Sequence, residues 1–341
     1  MECDLADSRV LVTGATGFLG EAAARALQAQ GAIVLGAGRN RETIARLEKG
    51  GIEMRQLELE DASQVRACFD DFAPDSVVHC AAKSAPYGRR ADFLRANVEG
   101  TRHLLDASRD SGVQRFVHIS SPSIYCAGLP LDNVAEDAPL PARAINAYAE
   151  SKREAERLVQ AASRAGLPCV ILRPRAIYGP GDSALFPRLL VALKDGKLPI
   201  IGDGTNRIDL TYIDDAVRSI LLALAASTRG LGKAYNITSG ESVRLWDLIQ
   251  ALAERLELAP PRRRISRRTA HVAATCLEAL HRVLRRGGEP RLTRHSVDSL
   301  SLDATLDISA ARRDLDYAPR VSVQDGVERF LASLAPPENH P

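Results

Sequence analysis

The sequence predicts an α/β fold, a doubly wound parallel sheet followed by a smaller C-terminal α/β lobe that binds substrate. Three observations carry this. Short apolar runs alternate with helical patterns through the first half, a glycine-rich turn joins the first run to the first helix, and the alternation breaks up after Pro174. Strand–helix alternation implies parallel strands with helices on both faces. The expected division is a dinucleotide-binding, Rossmann-type domain over 1–174 and a mainly substrate-binding lobe over 175–334, some of whose segments return to the first domain. A disordered tail is expected over 335–341.

Each element has a local signal. Arg9–Thr13 is a short apolar strand ending at Gly14, and Leu19–Gln30 is a helical pattern closed by Gly31. Ala32–Ala37 is the second strand, and Glu58 and Asp61 close the third. Ser76–His79 and Arg115–Ser120 are later strands, each preceded by a helical segment. Ala147–Ala165 is a helix stopped by Gly166, with the strand Pro168–Leu172 after it. In the second part, Gly179-Pro180-Gly181 and Gly202-Asp203-Gly204 mark loops. Ser242–Leu256 and Thr269–Arg286 read as amphipathic helices, and Ser309–Leu315 and Ser322–Leu334 as closing ones.

Composition bounds the function. The chain has 341 residues, 45% hydrophobic and 26% charged, with a net charge of +2, so no global field points to nucleic acid. No metal site is expected, because the six cysteines, Cys3, Cys68, Cys80, Cys126, Cys169 and Cys276, have no metal-ligand or disulfide-framework spacing. The start of the chain lacks a signal core and no run is long enough to span a bilayer, which predicts a cytoplasmic protein. The charge is uneven: residues 262–294 hold ten arginines and only two acids, Glu278 and Glu289. Within them an apolar stripe from Ala270 to Leu284 is flanked by Arg267, Arg268, Arg282, Arg285 and Arg286. Such a helix can be a core element with a solvated arginine face, a lid over a greasy pocket, or a contact for an anionic membrane or an acidic carrier.

The glycine turn is Gly14-Ala15-Thr16-Gly17-Phe18-Leu19-Gly20, after a strand and opening a helix. Glycine lets backbone approach a pyrophosphate, and the helix N-terminus stabilises its charge. Sites for NAD usually place an acid at the end of the second strand. Here Gly38-Arg39-Asn40-Arg41 offers arginines instead, so NADP(H) is favoured over NAD(H), with Arg39 on the 2′-phosphate. Glu58 and Leu59 are expected at the adenine, where Asp61 serves equally as a helix cap. Ala81, Ala82 and Lys83, after the fourth strand, let the chain pass close to the cofactor. His79, inside an apolar run, is read as structural.

Tyr148 and Lys152 stand four apart, on one helix face. An ammonium beside a phenol favours the phenolate, making Tyr148 a proton donor or acceptor with Lys152 tuning it. A serine in Ser120-Ser121-Pro122-Ser123, at the end of the fifth strand, would face the same crevice and polarise a carbonyl. Asn97 holds a water in a proton relay or caps a helix start, the two readings weighing equally.

The combination TGATGFLG, SSPSIY, YAESK, LRPRAIYGPGD, GDGTNRIDLTYIDDA and YNITSGE resembles the extended short-chain dehydrogenase/reductases in motif and order over nearly the whole chain. HCAAKSAPYG and RRGGEPRLTR narrow the resemblance to the 3β-hydroxysteroid dehydrogenase-like branch, and most to bacterial 2-alkyl-3-oxoalkanoate reductases. The resemblance implies Ser121, Tyr148 and Lys152 as the catalytic set. It implies cofactor contacts from the glycine turn, including Phe18 and Leu19, and from Asn97, Ser120, Pro174 and Ile177. Two positions depart from the pattern: Cys126 stands where glycine is common, and Glu58 where aspartate is usual. The implied activity interconverts a ketone and a secondary alcohol on a bulky lipophilic substrate, a β-keto acid or ester or a sterol-like ketone, as in lipid metabolism. A homodimer through Glu99–Asp110 and Ala147–Ala165 is implied by resemblance alone. The alternatives are an NAD-dependent sugar-nucleotide epimerase, dehydratase or reductase, and a non-catalytic NADP(H) sensor.

Overall fold

A computed structural model describes residues 5–196, 198–284 and 290–334, apart from the Arg282 side chain. The tail expected over 335–341, Cys3, Arg285 and Arg286 lie outside these residues.

Seven parallel strands form the main sheet. In chain order they begin β1 (Arg9–Thr13), β2 (Ile33–Gly38), β3 (Glu53–Gln56), β4 (Ser76–His79) and β5 (Arg115–Ile119). β6 (Leu131–Val134) belongs elsewhere, and β7 (Cys169–Pro174) and the strand Ala234–Ile237 complete the sheet. The spatial order is β3-β2-β1-β4-β5-β7 and then Ala234–Ile237. The order reverses between β1 and β4, so a crevice opens there beyond the strands' carboxyl ends.

The inner strands are largely apolar because both faces are buried, whereas the edge strand β3, Glu53–Gln56, is polar and part-exposed. Val10 and Val12 join one core with Ala23 and Leu27, while Leu11, between them, joins the opposite core with Phe69 and Leu104. The helices are α1 (Phe18–Ala29), α2 (Arg41–Lys49), α3 (Ala62–Phe72), α4 (Arg90–Leu94), α5 (Gly100–Asp110) and α6 (Ala147–Arg164). A π turn, Arg95–Glu99, joins α4 to α5. α1 and the later helix Ile213–Leu224 cover the first face, and α3, α5 and α6 the second.

A second, four-stranded sheet runs Ser242–Arg244, Arg207–Asp209, Ala304–Leu306, β6. The chain therefore crosses residue 174 in both directions: β6 precedes it yet sits in the second sheet, and Ala234–Ile237 follows it yet borders β7. The amphipathic helix expected over Ser242–Leu256 is shorter. Ser242–Arg244 pairs antiparallel with Arg207–Asp209, and the helix begins at Leu245. Edge pairing wins there because it supplies backbone partners that the first helical turn cannot. The third strand also stops earlier than expected, at Gln56, and Asp61 instead caps α3, accepting from the Ser63 and Gln64 amides. The basic helix spans Arg267–Val283. Among the described residues no helix is long and apolar enough to cross a membrane.

Candidate active site

The glycine turn is built by steric necessity. Gly14 has φ +74°, and a Cβ there would lie 2.6 Å from the Ala81 amide nitrogen. At Gly20 a Cβ would stand 2.1 Å from the Gly14 carbonyl oxygen. Gly38 leaves room for Thr16, whose Cγ2 would be 2.4 Å from an added Cβ. Gly17 starts α1 with no side-chain cap, so the first-turn amides face outward.

Beside this turn lies a cleft of about 220 Å³ lined by Gly14, Thr16, Gly17, Arg39, Glu58, Leu59, Ala81, Ala82 and Lys83, among others. The structure thus gathers nine expected cofactor residues around one cleft. Arg39 and Glu58 face each other across it at 3.7 Å, both solvent-exposed. Phe18 packs against the core of the second part of the chain, and Leu19 against both that core and the main-sheet core. Pro174 ends β7, and Ile177 pairs with Thr211.

Asn97 is not a helix-start cap. It lies buried in the π turn, where its Oδ1 accepts from the Lys83 amide at 2.6 Å. Its Nδ2 donates to the Lys83 carbonyl and to Ser151 Oγ. This clamps the strand-end backbone onto α6, and π turns often occur at functional positions. His79 is buried between Thr13 Oγ1 (2.7 Å) and Thr101 Oγ1 (2.9 Å), a structural position.

Asn146 caps α6 by accepting from the Ala149 amide, which sets Tyr148 in the first turn. The side chains of Ser121 and Ser84 stand close enough to the Tyr148 hydroxyl to act on its titration. Burial pushes its pKa up, and the two serines oppose that rise. The expected lowering by Lys152 is absent from this arrangement. Lys152 is buried, and its ammonium donates to the Ile119 carbonyl at 2.6 Å. Burial lowers the Lys152 pKa to about 8, against the pull of Glu156. Ser121 also accepts from the Ser123 amide, so it is turn residue and site residue at once. Ser120 is buried, and its hydroxyl finds no partner among the described residues.

Next to Tyr148 in the chain, Asn146 and Ala147 line a second cavity, of about 460 Å³. Phe93, whose ring meets Tyr148 edge-on at 6.5 Å, forms one wall. Asn146–Ala147, Ala127–Gly128 and the basic helix form the others. Arg267 and His271 both donate to Asp298 Oδ1 at 2.7 Å. Asn146 Nδ2 and His295 Nδ1, both from lining residues, are buried without a hydrogen-bond partner, as is Arg175 Nε, whose charge acts on His295. Sequence reasoning missed Ser84, Asn146, His271 and His295. Only Asn146 had a local signal, an N-cap residue ahead of a helical run. Among the described residues no group of three or more His, Cys, Asp or Glu side chains could hold a metal ion.

A glycine cradle at the switch point of a parallel sheet, opening toward a serine–tyrosine pair, defines a class: the α/β oxidoreductases that use a nicotinamide cofactor. More narrowly, the chain belongs to the NAD dependent epimerase/dehydratase family, whose pattern matches residues 10–238, and it is an extended short-chain dehydrogenase/reductase. It is 36% identical over 332 residues to the 2-alkyl-3-oxoalkanoate reductase of Stenotrophomonas maltophilia, covering 96% of this chain and 99% of that one. It is 32% identical over 321 residues to a 4-hydroxy-2-methyl-3-oxo-4-farnesyl-3,4-dihydroquinoline-1-oxide ketoreductase of Stigmatella aurantiaca, covering 94% and 95%. Among solved structures, the dTDP-glucose 4,6-dehydratase of Streptomyces venezuelae with NAD and TYD bound superposes with a TM-score of 0.74 at 27% identity, over 95% and 96% of the two chains.

Proposed function

We propose that this oxidoreductase is NADP(H)-dependent and interconverts a ketone and a secondary alcohol on a bulky lipophilic substrate, best a long-chain β-keto acid. The observation that carries the reading is the nearness of Ser121 to the Tyr148 hydroxyl, in a chain that also carries the glycine cradle. The main sheet would serve the cofactor and the segments after 175 the substrate.

The cradle would fit a dinucleotide, since Gly17 opens α1 with no side chain and no side-chain cap at its first-turn amides. The turn Gly14–Gly20 and the α1 N-terminus would hold the diphosphate. Arg39 would hold the 2′-phosphate; its side chain is 65% exposed and only loosely paired with Glu58. Glu58 and Leu59 would meet the adenine. Ala81, Ala82, Lys83, Asn97, Ser120, Pro174 and Ile177, with Lys152, would surround the nicotinamide riboside. When bound, the cofactor supplies the hydride.

The chain's own residues do the rest. Ser121 Oγ donates to the substrate oxygen as it gains negative charge, and Tyr148 passes its hydroxyl proton to that oxygen. Lys152, one helical turn on and held by the Ile119 carbonyl, would hold the nicotinamide ribose. In the cavity beside Phe93 the Pro86, Tyr87, Phe93 and Ile145 side would meet the lipophilic chains, opposite a charged side built from Arg267, His271 and Asp298. The buried unpartnered nitrogens of Asn146, Arg175 and His295 would donate to a carboxylate, which supports a β-keto acid. A dimer through α5 and α6 belongs to the same proposal; the outward faces of those helices carry no exposed large hydrophobic residue, and light scattering tests it.

The test is NADPH oxidation by the purified chain with a long-chain 2-alkyl-3-keto acid, with NADH and Tyr148→Phe alongside. Turnover should select NADPH and fall about 10²-fold or more in Tyr148→Phe. Intact turnover in that variant would overturn the mechanism. Tightly retained NAD would favour a sugar-nucleotide enzyme, and NADPH binding without turnover of any ketone or alcohol a sensor.

A further inference from the structure

The structure assigns to the basic helix a second role, as a docking surface for an anionic phospholipid membrane. The helix Arg267–Val283 has two unlike faces. The inner face is fully engaged. Ala270 and Ala274 are buried with Ile201 and Val297. Arg267 and His271 hold Asp298, Glu278 holds Arg294 at 3.0 Å, and the His281 ring meets Tyr87 edge-on.

The outer face is apolar and uncovered. Val272 is 65% exposed, Leu280 52% and Val283 77%, with Leu277 and Leu284 beside them. Positions 272, 276, 280 and 283–284 recur at helical spacing, so these side chains form one continuous stripe rather than scattered exposures. Single exposed hydrophobics need no explanation, but a contiguous stripe does.

Arginines cluster at one end of it. Arg262, Arg263, Arg264 and Arg268 are exposed at the head of the helix. Glu278, the acid within the helix, is turned inward onto Arg294. An amphipathic helix with aliphatic residues outward and arginines at its margin lies in a membrane interface and prefers anionic lipid. A second copy fits less well, because pairing two such stripes brings like charges together. A protein partner fits less well too: the stripe is aliphatic, with no Trp, Tyr or Phe to anchor one. The inner face of the same helix walls the cavity beside Phe93, so docking would leave this one helix between that cavity and the lipid.

The experiment is flotation of the full chain with phosphatidylcholine vesicles, with and without phosphatidylglycerol. Binding should require phosphatidylglycerol and weaken as salt is raised. It should fall about tenfold or more in Leu280→Glu/Val283→Glu and in Arg262→Glu/Arg263→Glu/Arg264→Glu. These side chains are exposed, so circular dichroism and melting should match the parent. No binding to anionic vesicles, or binding that both variants retain, overturns the proposal. So does light scattering that finds a dimer which Leu280→Glu/Val283→Glu makes monomeric, or an acidic protein that holds the stripe while vesicles do not. Vesicle binding needs no turnover, so this result stands apart from that of the reductase assay.

Discussion

Replacing the cradle glycines by alanine separates the geometry of the fold from that of the ligand. In Gly14→Ala the new Cβ would sit 2.6 Å from Ala81 N, 2.7 Å from Ala81 Cα and 2.9 Å from the Cys80 carbonyl carbon, all backbone atoms that cannot rotate away. The positive φ adds about 1–2 kcal/mol for any residue with a Cβ. Forcing the ends of β1 and β4 apart adds about 1–3 kcal/mol. The sum, about 2–5 kcal/mol, is a large part of the ~5–15 kcal/mol that holds a typical domain folded. Gly17→Ala differs: its φ is −102°, and its one near neighbour is the Gly14 carbonyl oxygen at 3.3 Å. Its fold should survive within about 1 kcal/mol, while the methyl group stands where a diphosphate approaches the α1 N-terminus. Urea denaturation followed by circular dichroism, with NADPH binding followed by fluorescence, distinguishes the two. Gly14→Ala should lose both stability and binding, and Gly17→Ala binding alone. A Gly14→Ala protein as stable as its parent, or a Gly17→Ala protein that binds NADPH normally, would refute the reasoning.

Three further outcomes are expected. Glu156→Gln breaks the buried bidentate pair with Arg173 (2.9 and 2.7 Å) and should cost about 3–5 kcal/mol in urea denaturation, because the guanidinium stays buried with half its partner gone. Arg39→Ala should raise the NADPH dissociation constant about 10–100-fold and leave that of NADH nearly unchanged in a fluorescence titration; equal effects on both would count against the 2′-phosphate role. Burial lowers the His79 pKa to about 3, and that of His118, next to it, also falls well below 6.5. Folded-state values below the unfolded one mean that both contribute stability above pH 6.5 and lose it as pH falls toward 3, by about 1.4 kcal/mol per pH unit for each histidine. Asp209, raised to about 6 by burial, works in the opposite sense, so the readout is the difference between the parent and His118→Leu from pH 7 to 5. An unchanged slope in that variant would sink the assignment.

Where a feature rests on neighbours in the chain, it was legible in the sequence. Glycine was required at Gly14 because β1 must turn at once into α1. Asp61 could be weighed as a cap because the helix it starts follows directly. Tyr148 and Lys152 share a helix face by spacing alone. Five strands of the main sheet showed as apolar runs because both of their faces are covered, while the polar edge strand β3 and the strand Ala234–Ile237 left no such run.

Contacts between distant segments were decided only by the tertiary structure. Lys152 spends its ammonium on the Ile119 carbonyl, 33 positions away, rather than on the phenol one turn back. Asn97 clamps Lys83 from a π turn that no local pattern announced. Ser84 reaches Tyr148, and β6 leaves its neighbours in sequence for the second sheet. The physical reason is one of range. Turns, caps and helix faces are set by sterics and hydrogen bonds within a few residues. The partner of a buried charge or amide is set by which segments the packed core brings together, so it leaves no periodic trace along the chain.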